Sequence, residues 1–192
     1  MQAARGASLK PSDPAPSSVT PHQRKRHLLL FALVAVLGYA ADLGSKQLVL
    51  HQLRPADPVP VVGDVFSLFL TFNSGAAFSL GTSYTFVLSC IAVFAALVTL
   101  WFARRLGSTG WALALGFLLA GITGNLTDRV FRAPGPMLGH VVDFLRFPHF
   151  PVFNVADICI NIAAGLIILQ TLRGIRLDGR RDRDSDGGSV AP

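Results

Sequence analysis

Four apolar runs, each close to the length of a bilayer-spanning helix, dominate the chain and are separated by polar or mixed stretches. They predict spans over about 27–50, 84–103, 110–126 and 154–172, because crossing a hydrocarbon core takes roughly 20 helical residues. Between the first two runs the period changes. Val65 to Phe72 sets Phe66, Leu68, Leu70 and Phe72 on one face and Val65, Ser67, Phe69 and Thr71 on the other, the alternation of a strand. A short sheet at the membrane surface would pair its backbone groups while turning an apolar face to lipid. On the third run Ala112, Gly116, Ala120 and Gly124 recur every four residues. Such a small-residue stripe admits another helix at close range, within one bundle or across a dimer. The predicted fold is membrane all-α: four transmembrane helices with a small β-sheet element in the first outer loop.

Composition excludes a large soluble catalytic domain: 51% of the 192 residues are hydrophobic and 15% charged, with a mean hydropathy of +0.49. Residues 1–26 are rich in Pro, Ser and Ala and close on Arg24-Lys25-Arg26, the composition of a disordered tail. Residues 27–172 then form the membrane domain and 173–192 a second tail. Gly38-Tyr39-Ala40 has the small residues of a signal-peptide cleavage site, but the long polar prefix predicts a retained anchor. The net charge of +6 does not imply a nucleic-acid partner, because the basic residues are not gathered on one folded face. Twelve of the 17 Lys and Arg lie in the two tails and at Arg104-Arg105. The positive-inside rule therefore places both termini in the cytoplasm and the loops 51–83 and 128–153 outside. Cys90 and Cys159 fall inside apolar segments and read as small buried hydrophobes, not a disulfide framework.

An ionisable residue at the bilayer centre costs about 2.5–3.5 kcal/mol on insertion scales, so those in or beside the spans need a reason. Asp42 and Lys46 lie toward the outer end of the first span, Asn125, Asp128 and Arg129 at that of the third, and Asn154 and Asp157 at the start of the fourth. Asp143 belongs to the loop before it, within His140-Val141-Val142-Asp143-Phe144. All sit near one depth, at one face. Scaffolding roles compete with a shared site: Asn154-x-x-Asp157 is spaced as an N-cap with an acidic N3 partner, and Asp42 and Lys46 as an intrahelical ion pair. Asp128 reads as structural at the interface. Asp143 has no cap or helical partner pattern and is the hardest to assign to scaffolding.

His140 and His149 flank Asp143, but their spacing matches no standard zinc site, so no metal and no cofactor are expected. No Gly-x-Ser-x-Gly or Ser-x-x-Lys pattern supports a serine nucleophile; Ser74, beside Asn73, is the only suggestively placed serine. If Asp143 and Asp157 meet at about 4 Å, their repulsion at an effective dielectric of 20 is about 4 kcal/mol, and one proton is shared between them. Such a dyad is the machinery of an aspartic peptidase, the carboxylate drawing a proton from water and the acid polarising the scissile carbonyl. Asp157, in the first turn of a helix, would be the base and Asp143 the acid. Two other classes compete. A small proton-coupled transporter would spread ionisable residues through the depth of the bundle, and a metal-dependent enzyme of lipid head groups would be sensitive to a chelator.

The grouped motifs resemble signal peptidase II, the lipoprotein signal peptidase family of bacteria. They are Ala41-Asp42 with Lys46, Phe72-Asn73-Ser74-Gly75-Ala76-Ala77-Phe78, Gly121-x-x-x-Asn125-x-x-Asp128-Arg129, Val141-Val142-Asp143-Phe144 and Phe153-Asn154-Val155-Ala156-Asp157. The resemblance covers about residues 27–172. It implies an aspartic endopeptidase of the bacterial inner membrane, with its site at the extracytoplasmic face, that cuts diacylglyceryl-modified prolipoproteins N-terminal to the lipid-modified cysteine. It further implies Asp143 and Asp157 as the dyad, with Asn73, Gly75, Asn125, Arg129, Asn154 and Ala156 supporting it. Asp42, Lys46 and Asp128 would be structural, and globomycin would be an inhibitor. Prolipoprotein and membrane lipid are the expected partners, and the chain is expected to be a monomer. The stretch Val130 to His140, with Pro134-Gly135-Pro136, is longer than the family pattern leads one to expect, which bears on the shape of the outer loops. A diacylglyceryl group would stay in the bilayer while a site at its surface meets the scissile bond.

Overall fold

A computed structural model describes residues 20–75 and 81–181. Four helices, α1 (Pro21–Gln52), α2 (Gly81–Ala103), α3 (Thr109–Phe131) and α4 (Val155–Leu172), are joined by three strands, β1 (Val59–Val62), β2 (Phe66–Asn73) and β3 (Val141–Arg146). Each helix contains a stretch long and apolar enough to cross a membrane.

The two largest departures from the expected helix limits, at the start of α1 and the end of α3, have local reasons. α1 starts at Pro21, inside the stretch 1–26 expected to be disordered, because Thr20 and Gln23 form a reciprocal capping box with Pro at the first helical position. That motif satisfies two orphan amides at once. The rest of that stretch, 1–19, and 182–192 of the second tail lie outside the described residues. α3 runs on to Phe131, five residues past the expected end, because the side chains of Thr127 and Asp128, which lower its hydropathy there, are bonded within the protein.

α3 is the central helix, and its small residues explain how. A Cβ on Gly116 would meet Val34 Cβ of α1 at 2.9 Å, and one on α1's Gly38 would meet Ala120 Cβ at 2.7 Å. One on Gly121 would strike Ala156 and Ile160 of α4. The stripe thus packs helices of one bundle. Gly124 serves the polar layer instead: its Cβ would lie 2.5 Å from Asp42 Oδ2. Gly124→Ala is therefore expected to cost about 1–3 kcal/mol of unfolding free energy through overpacking. Gly44→Ala, with nothing within 4 Å of the new Cβ, should cost nothing; unfolding of the two variants in mixed detergent micelles checks both.

The sheet is antiparallel in the order β1-β2-β3, so two strands come from the first loop and the third from the second. Thr71 pairs with Asp143, Phe72 with Val142 and Asn73 with Val141. Asp143, expected in a loop, is thus in the middle of a strand. The period-2 signal is missing from β3 because Val141, Val142, Asp143 and Phe144 are all buried. Val142 and Phe144 pack with Val49 of α1 and Leu70 of β2. The sheet is therefore seated on the end of the bundle where α1 and α3 finish and α4 begins. The long connection after α3 is compact: Gly139 N donates to Arg129 O at 2.9 Å, His140 N to Ala133 O at 3.1 Å, and Ser89 Oγ of α2 to Met137 O at 2.7 Å.

Candidate active site

α4 begins with a capping box. Asn154 Oδ1 accepts from Asp157 N at 3.1 Å, and Asp157 Oδ2 accepts from Asn154 N at 3.1 Å. The cap leaves two groups free for other work. Asn154 Nδ2 donates to Asp143 Oδ1 at 2.6 Å and to Asn125 Oδ1 at 3.1 Å, while Asp157 Oδ1 accepts from Asn125 Nδ2 at 2.9 Å. Scaffolding and a shared site are therefore the same residues: one asparagine starts a helix and joins both carboxylates.

β2 supplies the other side. Asn73 Nδ2 donates to Asp143 Oδ2 at 2.9 Å, and Asn73 Oδ1 accepts from Gly75 N at 2.7 Å, which fixes the amide's orientation. Gly75 has φ +82°, a conformation that glycine adopts without steric cost. A Cβ there would also meet Leu88 Cδ1 at 2.5 Å and the two Arg129 Nη atoms at 3.5 and 3.6 Å. The guanidinium of Arg129 is thus beside Gly75, and its Nη1 is buried without a hydrogen-bond partner among the described residues. Ala76, Ala77 and Phe78 of the same motif lie outside the described residues.

Asp143 is buried. Desolvation pushes its carboxyl up from 3.8 to about 6; the amides of Asn73 and Asn154 and the Lys46 charge oppose that rise, and the Asp157 charge adds to it. A buried carboxyl beside a second carboxylate retains its proton to higher pH, because two adjacent anions in a poor solvent for charge repel.

Behind this pair is a layer of charge that the bundle encloses. Lys46 Nζ is fully buried and lies 2.8 Å from Asp42 Oδ2 and 2.9 Å from Asp128 Oδ2, with Asn125 Oδ1 at 3.1 Å. Its three protons therefore have three acceptors. Asp42 Oδ1 accepts from Ala156 N at 2.8 Å, serving α4's first turn from another helix. Asp128 Oδ2 accepts from Val142 N of β3 at 3.2 Å, and its Oδ1 pairs with Arg132 Nε. Two cations and two anions cancel, and together they tie α1, α3, β3 and α4 through one network. Ala156 contributes its backbone and its size, since it is fully buried with Gly124 and Gly121 against it.

The sequence singled out the eleven residues Asp42, Lys46, Asn73, Gly75, Asn125, Asp128, Arg129, Asp143, Asn154, Ala156 and Asp157, and all meet at this end of the bundle. Arg132 was missed. Its signal was the i, i+4 spacing from Asp128, the spacing that marked Asp42 with Lys46. Ser74 contributes its carbonyl, which accepts from Thr85 Oγ1 at 2.5 Å. The two histidines flanking Asp143 line separate cavities, His140 with Phe131 and Arg132, His149 with Asp64 and Arg146. Among the described residues no group of three His, Cys, Asp or Glu side chains has the arrangement to hold a metal ion.

Comparison with known proteins accounts for most of the chain. The family model for signal peptidase (SPase) II matches residues 34–173. The lipoprotein signal peptidase of Leifsonia xyli subsp. xyli is 45% identical over 162 residues, covering 84% of this chain and 75% of that one. That of Mycobacterium avium is 44% identical over 175 residues, covering 90% and 96%. That of Mycobacterium tuberculosis H37Rv is 43% identical over 182 residues, covering 95% and 86%. A bacterial membrane enzyme solved by the in meso method at 1.9 Å superimposes with a TM-score of 0.67 at 26% identity, over 74% of this chain and 92% of its own. A second, solved at 2.3 Å, shares the fold with a TM-score of 0.63 at 23% identity, over 84% and 94%. With four membrane-length helices and this span of similarity, the chain is a multi-pass membrane peptidase and belongs to the signal peptidase II family.

Proposed function

We propose that this chain removes the signal peptide from diacylglyceryl-modified prolipoproteins, cutting N-terminal to the lipid-modified cysteine, with Asp143 and Asp157 as the catalytic dyad. The observation that carries the reading is Asn154, which donates to Asp143 through its side chain and to Asp157 through its backbone. The relatives' name, lipoprotein signal peptidase, supports the substrate class. The working unit contains residues 27–172, with α1 extending back to Pro21, and is a monomer with both termini in the cytoplasm and the dyad at the extracytoplasmic face of the inner membrane.

In this mechanism Asp157 takes a proton from water, whose oxygen attacks the scissile carbonyl carbon. Protonated Asp143 donates to the carbonyl oxygen, giving a neutral tetrahedral diol. Asp157 then returns its proton to the amide nitrogen, the C–N bond breaks, and Asp143 recovers its proton as the new carboxyl group forms. No acyl-enzyme arises. Asn73 and Asn154 hold Asp143, Asn125 holds Asp157, and the spare Nη1 of Arg129 binds a backbone carbonyl of the substrate. Asp42, Lys46 and Asp128 maintain the frame. The lipid chains remain in the bilayer and hold the cysteine at the depth of the dyad, each buried methylene contributing about 0.8 kcal/mol.

The test of substrate class compares a diacylglyceryl-modified precursor with the same precursor bearing a free cysteine. The modified one is expected to give a kcat/KM at least 100-fold higher, because its lipid anchors the chain next to the site; equal rates would remove lipid recognition from the reading.

A pH dependence follows from Asp143. Its protonated form is required, and its carboxyl sits at about 6. The expected kcat/KM therefore falls about tenfold per unit as pH rises above that value, in a single-turnover series at constant ionic strength. Stability carries the same sign. A carboxyl raised from 3.8 to about 6 on folding favours the folded state below the lower value, and that contribution is lost as pH rises through the window.

A further inference from the structure

The opposite end of the bundle, where α1 and α3 start and α2 and α4 finish, carries a concentration of mostly positive charge. A cavity of about 370 Å³ there is lined by Arg24, Arg104, Arg105, Leu106, Gly107, Asp178 and Arg180. Four arginines face one aspartate.

The walls are built, not draped. After α4 the chain turns back over the α2–α3 connection: Gly107 N donates to Leu177 O at 2.8 Å, and Arg176 N to Arg180 O at 2.9 Å. Trp111 Nε1 donates to Ile175 O at 2.7 Å, and Leu177 packs on the cluster of Phe31, Leu106 and Leu115. Gly179 at φ +83° fits so closely that a Cβ would lie 2.5 Å from Gly107 O. The turn is thereby fixed against the end of α2. Arg24 already has a partner, the carbonyl of Arg104. Arg180 approaches Asp178 only at 3.8 Å, beyond direct hydrogen bonding. Arg105 lies over the Trp101 ring at 4.5 Å from its centroid.

Trp101 connects the cavity to lipid. With Leu97 and Phe94 it forms an exposed apolar stripe on α2, at the i, i+3, i+7 spacing of one helix face. An occupant is thus offered guanidinium groups at the membrane surface and an aromatic and aliphatic track below them. Guanidinium forks match phosphate oxygens, and basic pockets at the ends of spans take anionic headgroups. We propose that this cavity binds the phosphate of an anionic phospholipid whose acyl chains lie along the Phe94, Leu97 and Trp101 face of α2.

The test uses the full chain in neutral detergent, titrated with phosphatidylglycerol or phosphatidylcholine brominated on the acyl chains, with tryptophan quenching as the readout. Phosphatidylglycerol should quench saturably and at a several-fold lower mole fraction than phosphatidylcholine, and Trp101→Phe should abolish most of that quenching. Arg104→Gln, Arg105→Gln and Arg180→Gln should each raise the half-quenching fraction about fivefold. Asp178→Asn, which keeps the oxygen that accepts from Arg180 N at 3.1 Å, should lower it. Equal quenching by the two lipids, or arginine variants that titrate like wild type, would overturn the proposal. Millimolar inorganic phosphate that displaces phosphatidylglycerol completely would mark the cavity as a free-phosphate site and overturn the lipid assignment. If the arginine variants fail to fold, Asp178→Asn decides the matter, and an unchanged titration there counts against the site.

Discussion

Asp143→Asn and Asp157→Asn should each lower kcat/KM by at least about 1000-fold, the range lost when a positioned acid or base is removed, while the protein remains folded. The two changes act at different steps of proton movement. An amide at 157 takes no proton from water, and one at 143 has no acidic proton to give the carbonyl oxygen. The double variant should be about as slow as either single one, because residues that act as a unit do not contribute additively. Folding should survive at 157, since an asparagine oxygen can still accept from Asn154 N and maintain the cap. Rates from single-turnover cleavage, beside circular dichroism of each variant, check both halves of the expectation.

Lys46→Met should be the most destabilising single change in the bundle. Methionine fills a comparable volume but removes the cation that lies between Asp42 and Asp128. Two buried carboxylates are then left without the cation between them, Arg132 still paired directly with Asp128, and breaking a buried ion pair from one side costs about 3–5 kcal/mol. The penalty comes mainly from the anions left behind. Adding Asp42→Asn to Lys46→Met should therefore recover part of the loss, although Asp42→Asn alone destabilises. Unfolding midpoints of the three variants in mixed micelles give the coupling energy directly. A loss in the double variant equal to the sum of the single ones would contradict the network as described.

What was legible in the sequence was governed by range. The four helices announce themselves because a bilayer demands a minimum apolar length, and β2 because one of its faces is apolar. β3 gave no such sign: a strand buried on both faces has no alternation, and only its pairing with β2 distinguishes it from a loop. The start of α1 was hidden for the opposite reason, since Thr20 and Gln23 sit in a polar stretch where composition masks the capping box. At the site, polar residues in and beside apolar spans stood out one by one. Their partners did not. The pair of Asp42 and Lys46 follows from a four-residue spacing, but the contacts of Lys46 with Asp128 and Asn125 span about 80 positions and depend on how closely Gly116, Gly121 and Gly124 let the helices approach. At Asn154 cap and site coincide, since one side-chain amide caps α4 through its oxygen and holds Asp143 through its nitrogen.

The measurement that bears most directly on the dyad is mass analysis of the products released from a diacylglyceryl-modified prolipoprotein by the purified enzyme, with a chelator present throughout. Wild type is expected to yield a signal peptide ending at the residue before the modified cysteine and a mature chain beginning with that cysteine, and neither asparagine variant should yield either product at a comparable rate. A cut at another bond, dependence on added metal, or the same products from Asp143→Asn or Asp157→Asn would contradict the assignment of these two carboxylates.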